Sequence, residues 1–371
     1  MNPRVYLDWN ASAPAWPAAV AAATEAMSAG GNASSIHAAG QAARRRIEAA
    51  RGRVAALVGA RPDQVVFTAG ATEANNQALR CTGRAAVFVS AVEHPSVLEA
   101  APDAVRLPVD RDGIVDLDAL DRRLAAAPGP ALVSLMLANN ETGVIQPVAE
   151  AAAIARRHGA LVHCDAVQGP GRIAVDFAAL GADLMSLSAH KLGGPQGVGA
   201  LIVREPALAG RLVHGGGQER GRRAGTENGP GIAGFGAAAD AVAALGTGAA
   251  AGMAALRDGI ERRIRAVAPD AVVFGAGAPR LPNTSQIAMP GMAAETQVIA
   301  FDLDGIAVSA GAACSSGRVA APVVLAAMGV PDALARSAIR ISLGWTTTAA
   351  DTDRFVAAWE ALYRRRERRS A

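Results

Sequence analysis

The chain has 371 residues, 51% hydrophobic and 19% charged, enough to bury a large core and ordinary for a globular enzyme of about two domains. Its formal charge is only +3, and no basic face with interleaved aromatics occurs, which argues against nucleic-acid binding. No apolar run approaches membrane-spanning length and no signal-peptide pattern opens the chain. Three widely spaced cysteines, Cys81, Cys164 and Cys314, form neither a disulfide framework nor a zinc pattern, so a reduced, cytoplasmic protein is expected.

Taken in order, Val5 to Asp8 predicts a short strand, 10–17 a loop and 18–27 a helix. Residues 30–37, Gly-Gly-Asn-Ala-Ser-Ser-Ile-His, are too rich in turn formers for a helix. They read as an entrance loop or a plain connector before a helix at 38–58. A strand at 64–68 runs into Ala-Gly-Ala-Thr-Glu-Ala-Asn-Asn at 69–76, which opens a helix. Strand, small-residue turn and helix N-terminus favour an anion through free N–H groups and the helix dipole, and Thr72 can add a hydroxyl. The same arrangement also serves as a common connector.

The next strand, 85–90, ends at Glu93-His94-Pro95-Ser96. His94 stands just past a strand end, where α/β proteins keep ligands, although a capping or packed histidine is the alternative. A strand at 131–137 ends at Asn139-Asn140-Glu141, and a helix follows at 149–158. The strand at 160–165 delivers Asp165, with Gln168 three residues on, while Cys164 reads as a small core residue. A strand at 182–187 then meets Ser188-Ala189-His190-Lys191. Strands alternating with helices predict a mostly parallel sheet wrapped on both faces, with these polar tips at one edge.

Lys191 is the only lysine among 36 Lys and Arg residues. Where a positive charge suffices the chain uses arginine, so a retained lysine points to chemistry that needs an amine, such as a Schiff base. A lone surface lysine in an Arg-biased sequence is the plain alternative. After a strand at 197–203, the Gly/Arg loop of residues 214–226 is either a phosphate cradle or a flexible contact to a second subunit. It is not a P-loop, since no Gly-x-x-x-x-Gly-Lys pattern exists.

An Ala/Gly-rich shift at 246–252 marks a domain boundary. The second domain is predicted to carry a helix at 254–267, strands near Val272 and Ser285, and a helix from about Glu295. Cys314 lies in a run of small residues, 308–317, where a cysteine is better placed to react than to pack. Arg340 interrupts an apolar strand at 338–343. Burying that charge demands a partner, either a substrate carboxylate held in bidentate fashion or an internal ion pair. The arginine-rich 364–369 stretch reads as a solvated helix end.

In order, Gly31-Asn32-Ala33-Ser34-Ser35-Ile36-His37, Ala71-Thr72-Glu73, Glu93-His94, Asn139-Asn140-Glu141, Asp165-Ala166-Val167-Gln168, Ser188-Ala189-His190-Lys191, Gly225-Thr226 and Ala313-Cys314-Ser315-Ser316 form a set. It resembles the pyridoxal-phosphate (PLP) enzymes of aminotransferase class V, and within them the cysteine desulfurases of the NifS/IscS type. The resemblance runs from Tyr6-Leu7-Asp8 to Ser342-Leu343-Gly344. It implies an α/β chain of PLP-dependent transferase fold type I. A large domain (15–248) would hold a mostly parallel seven-stranded sheet, and a smaller α+β domain would combine 1–14 with 249–371.

The resemblance also implies roles. Lys191 would bond PLP covalently and later move protons, Asp165 would pair with the ring nitrogen, and Gln168 would meet the ring hydroxyl. His94 would stack on the ring and act as an acid–base group. Thr72, Ser188 and His190 would hold the phosphate, with Ala71 beside them and Thr226 reaching in from a second subunit of a homodimer. Asn140 and Arg340 would fix the carboxylate of L-cysteine. Cys314 would take its sulfur as a persulfide, leaving alanine, and pass it to an acceptor such as an iron–sulfur scaffold protein.

Three departures stand out. Ala33 replaces a usual proline, Ala11-Ser12-Ala13-Pro14 replaces Ala-Thr-Thr-Pro, and Ser316-Gly317-Arg318-Val319 replaces a Ser-Leu-Glu-Pro-type continuation, leaving the acceptor open. A selenocysteine lyase or another class V enzyme would need Lys191 and Asp165 but no nucleophilic Cys314. A Rossmann-type nucleotide module would need Gly-x-Gly-x-x-Gly after the first strand, which is absent. A catalytically idle scaffold would not need the lysine, aspartate and cysteine together.

Overall fold

The computed structural model describes residues 4–310 and 322–370; Cys314 and the 311–317 part of its small-residue run lie outside them. The strands are β1 (Val5–Tyr6), β2 (Val65–Thr68), β3 (Ala86–Ser90), β4 (Val105–Leu107), β5 (Ala131–Met136) and β6 (Leu161–Asp165). They continue with β7 (Leu184–Ser188), β8 (Gly199–Val203), β9 (Val272–Val273), β10 (Thr284–Ala288), β11 (Ile306–Ala307) and β12 (Ala338–Ser342).

Seven of these make one sheet, ordered β2-β8-β7-β6-β5-β3-β4. All its neighbours pair in parallel except β8, which runs antiparallel to both β2 and β7. The four central strands β5 to β8 are buried at every residue. That is why they read as continuous apolar runs rather than alternating ones. Helices Ala38–Leu57 and Gly229–Ala243 contribute Ile47, Val54, Ile232 and Phe235 to the core on one face. Ala74, Ala78 and Leu79 of helix Ala71–Arg80 join the core on the other.

A second core surrounds the antiparallel sheet β12-β10-β9, where Ile287, Ile339 and Ile341 meet Phe355 and Trp359 of the C-terminal helix. Val5 and Leu7 belong to this core, because β1 pairs with β11. Residues 9–16 then cross to the first core. Trp16 stacks on Trp345 at 4.4 Å and donates from Nε1 to the Leu192 carbonyl at 3.0 Å. Gly193 follows at φ 76°, and a Cβ there would lie 2.7 Å from Trp16. Only glycine gives both that turn and that approach.

The expected strands and helices are present within a few residues. Several elements were not anticipated, among them β4, helix Leu117–Ala125, β11 and the short helices Val323–Ala327 and Asp332–Ala335. β4 is three residues long with its first two exposed, too short for any periodic signal. Helix Leu117–Ala125 is capped by Asp116, whose side chain accepts from the Ala119 N–H at 2.8 Å. The Ala/Gly shift at 246–252 forms the first turns of helix Gly246–Val267, eight residues ahead of the expected start, because alanine offsets the glycines as a helix former. No single described helix is long and apolar enough to cross a membrane.

Candidate active site

The C-terminal tips of β3, β5, β6 and β7 open on one cavity of about 560 Å³, which Arg340 of β12 closes from the second core. This is the edge where parallel strands present their polar ends. Ala71, Thr72, His94, Asn140, Asp165, Gln168, Ser188, His190, Lys191 and Arg340 all line it. Thr226 does not. It is exposed and faces smaller clefts, one of them bordered by Met27 and Arg46.

The anion-type turn sits at one end of the cavity. Gly70 caps helix Ala71–Arg80 with no side-chain hydrogen bond of its own. The first N–H groups of a helix have no intrahelical acceptor, so this end stays available to an anion. β8 starts against it: a Cβ on Gly199 would lie 2.7 Å from the Gly70 carbonyl carbon, so glycine lets the strand reach the turn.

The charged groups line the same cavity. The Asp165 carboxylate accepts from Asn75 Nδ2 at 2.7 Å and from the Val167 N–H at 3.1 Å. Lys191 Nζ donates to the Asn10 carbonyl at 2.5 Å and the Ala11 carbonyl at 3.0 Å. Burial, then the neighbouring Lys191 charge, pushes His190 down to about 4, so its ring is neutral and bonds Ser12 Oγ at 3.3 Å. His94 also falls below the usual range. Burial is the main cause and Lys191 adds to it, against the pull of Asp165. Its Nδ1 caps helix Pro95–Leu98 by accepting from the Ser96 N–H at 3.1 Å. His94 is therefore both the capping histidine and a cavity residue.

Arg340 realises the internal ion pair weighed for it while still lining the cavity. Its Nη2 donates to Asp8 Oδ1 at 2.7 Å and its Nη1 to the Asn140 carbonyl at 3.0 Å. Its Nε, together with Gln168 Oε1 and Asn75 Oδ1, is buried without a hydrogen-bond partner among the described residues. The Gly/Arg loop is pinned rather than flexible at its centre. Buried Glu219 takes two bonds from Arg51, at 2.7 and 2.9 Å, and one from the Phe67 N–H. The pin holds Glu219 and Arg220 at φ 47° and 57°, conformations that non-glycine residues rarely adopt.

Asn10, Ser12 and Asn75 were not singled out in the sequence. Asn75 carried a signal, since it follows Ala71 by four residues and so shares its helix face. Asn10 and Ser12 carried none, because only the tertiary crossing of 9–16 brings them under Lys191.

Residues 5–355 match the family described as Aminotransferase class-V. A cysteine desulfurase of Cereibacter sphaeroides is 44% identical to this chain, covering 95% of it and 94% of the relative. An IscS-like cysteine desulfurase of Mycobacterium tuberculosis is 40% identical, covering 96% and 95%. The solved structure of a NifS-like protein from Rickettsia africae superposes with a TM-score of 0.89 at 35% identity, over 97% of this chain and 99% of that one.

Proposed function

The chain belongs to the aminotransferase class-V family, and from that premise we propose that its cavity works as a cysteine desulfurase, turning L-cysteine into L-alanine. The observation that carries this reading is the meeting of Lys191, Asp165 and Arg340 in one cavity. An amine, a carboxylate and a guanidinium there suit a PLP-dependent reaction on an amino acid.

The residues fit PLP. The side-chain-free cap at Gly70, with Thr72, Ser188 and His190 nearby, suits the phosphate. Asp165, already oriented by Asn75, would keep the ring nitrogen protonated, and the unpartnered Gln168 Oε1 is available to the ring hydroxyl. Lys191 would hold the group covalently. When bound, PLP supplies an electron sink that eases loss of the Cα proton and weakening of the Cβ–S bond.

The chain's own groups do the rest. Asn140 and Arg340 take the substrate carboxylate, and the free Nε of Arg340 gives it a donor beyond the two bonds it already makes. Lys191 carries the proton at Cα. The Cys314 thiolate attacks the substrate sulfur; an S–S bond forms as the Cβ–S bond breaks, its electron pair stays with Cβ, and a proton there completes alanine. Ser309 exchanges backbone hydrogen bonds with Arg340, at 2.7 and 3.1 Å. Five residues of chain from Ser309 to Cys314 span at most about 18 Å.

The persulfide on Cys314 then passes its sulfur to an acceptor, such as an iron–sulfur scaffold protein, in the cytoplasm. Thr226 completes the phosphate site of a partner subunit in a homodimer. Exposed Met27, which borders the same cleft as Thr226, offers apolar area for the contact. The division we propose is a large domain, 15–248, and a small one, 1–14 with 249–371, a reading that the separate cores support.

The test is the visible spectrum of the purified protein, recorded with alanine and sulfide release from L-cysteine under reductant. The proposal predicts a PLP chromophore, equal amounts of both products, and a Cys314→Ala variant that keeps the chromophore but loses turnover on L-cysteine. A Cys314→Ala variant as active as wild type would move the assignment to a lyase such as a selenocysteine lyase.

A further inference from the structure

Three of the four tryptophans meet where the chain passes between the two cores. The Trp345 ring lies stacked on Trp16, with 4.4 Å between centroids and 7° between planes, and meets Trp9 edge-on at 4.6 Å. Trp9 and Trp16 begin and end the crossing segment, and Trp345 follows β12.

Each ring is tied to something that shapes the cavity. Trp16 holds the turn after Lys191: its backbone N–H donates to the Gly193 carbonyl at 2.9 Å and its Nε1 to the Leu192 carbonyl at 3.0 Å. Trp345 stands five residues beyond Arg340, and Gly344 before it is pressed against Trp9, so that a Cβ there would run into the Trp9 ring. Trp9 is buried, and its neighbours in sequence hold the cavity's guanidinium and its amine. Asp8 accepts from Arg340 Nη2 at 2.7 Å, and the Asn10 carbonyl accepts from Lys191 Nζ at 2.5 Å. Three consecutive residues thus touch Arg340, the tryptophan cluster and Lys191.

An amino acid offers two handles, an amino group and a carboxylate, at a fixed separation. A site that takes both must hold its own two groups at the matching spacing, and a small misplacement is costly. Lys191 follows a strand of the seven-stranded sheet and Arg340 lies in the three-stranded one, so neither sheet alone sets that spacing. The aromatic cluster spans the two.

We infer that Trp345 is a positioning residue for substrate binding: stacked on Trp16 and edge-on to Trp9, it sets how far the strand carrying Arg340 stands from the turn carrying Lys191. The inference rests on the reading of Arg340 as the partner of the substrate carboxylate. No tryptophan is among the described residues that line the cavity, so the effect of Trp345 on substrate runs through Arg340.

The test is binding without turnover. L-Alanine and ethylamine differ by the carboxylate alone, and the visible spectrum of the holoenzyme reports the binding of each. Trp345→Ala should weaken L-alanine about tenfold, the scale of two aromatic pairs, and ethylamine by less than about twofold. Trp345→Phe keeps a ring to stack and should hold L-alanine within about threefold of wild type. Trp16→Ala removes the stack from the other core and should reproduce the selective loss at about fivefold, the scale of one pair. In an Arg340→Ala background, Trp345→Ala should change L-alanine binding by less than about twofold, because two residues that act through one contact are not additive. Equal weakening of both amines, an L-alanine affinity indifferent to Trp345→Ala and Trp16→Ala, or an undiminished loss on top of Arg340→Ala overturns the inference. Failure of the desulfurase reading shows separately, as no alanine and no sulfide from L-cysteine with wild type, and leaves this comparison readable because it needs no turnover.

Discussion

Arg51 and Arg340 are both buried, yet their surroundings differ in a way that separates a structural charge from a working one. Arg51 has 4% of its side chain exposed and meets Glu219, with 2% exposed. The pair is bidentate, the third Arg51 nitrogen reaches Glu48, and Glu219 also takes the Phe67 N–H. The guanidinium covers the Phe67 ring at 4.8 Å. Each of the three nitrogens makes a hydrogen bond, and the pair anchors the Gly/Arg loop to helix Ala38–Leu57 and β2. Arg340 has 1% exposed but meets Asp8, with 22% exposed, through a single bond, and its Nε has no partner among the described residues. A saturated pair holds two elements together. The unsaturated pair faces the cavity, as the proposed binding of a substrate carboxylate requires.

Breaking the saturated pair should have the largest effect. Arg51→Ala leaves Glu219 buried and unpaired, so denaturant titration should show a loss of about 3–5 kcal/mol. The paired replacement Arg51→Met with Glu219→Leu should recover most of it, since a well-packed apolar pair avoids desolvation. Equal losses in the single and paired variants would mean that the anchoring lies elsewhere.

A neutral buried group supplies the control for both arginines. His163 bridges Ser134 Oγ at 2.8 Å and Ser186 Oγ at 2.9 Å inside the sheet, and burial pushes it down to about 4. The unfolded ring binds a proton near 6.5, so between pH 6.5 and 4 the unfolded state holds more protons than the native one. Stability from this group is therefore complete above pH 6.5 and is lost as pH falls through that window. The difference is worth about 3 kcal/mol at about 1.36 kcal/mol per unit. His163→Gln should flatten this part of the stability–pH curve, and an unchanged slope would assign the acid loss to other groups.

The working pair should answer in kinetics instead. Arg340→Ala should raise KM for L-cysteine by about 10- to 100-fold, the scale of a hydrogen bond to a charged group worth about 1.5–3 kcal/mol. A kcat loss with unchanged KM would take the carboxylate away from Arg340. The smallest effect belongs to the outer edge of the anchor. Glu48 is 45% exposed where it meets Arg51, so Glu48→Ala should cost at most about 1 kcal/mol.

The same contrast explains what could be read in the sequence. Arg340 was legible because a charge in an apolar alternation demands a partner, and Lys191 because it is the one lysine. The strand tips carrying His94, Asn140 and Asp165 were legible from the alternation of strands and helices. Asp8 was not legible as the partner of Arg340, because 332 residues separate them. The anchor of Arg51 and Glu219 was equally hidden. It joins a helix to a loop 168 residues away, and its glutamate sits in a run that reads as flexible. Local pattern shows which residues need partners, and long-range packing decides which partners they get.

The most direct test of the account is the fate of sulfur in a single turnover without reductant. The protein is mixed with L-cysteine, quenched, digested, and the peptide carrying Cys314 is weighed by mass spectrometry. The account predicts a gain of one sulfur atom on that peptide, matched by alanine, and no gain on the peptides carrying Cys81 or Cys164. Alanine formed with no sulfur on Cys314 would contradict it.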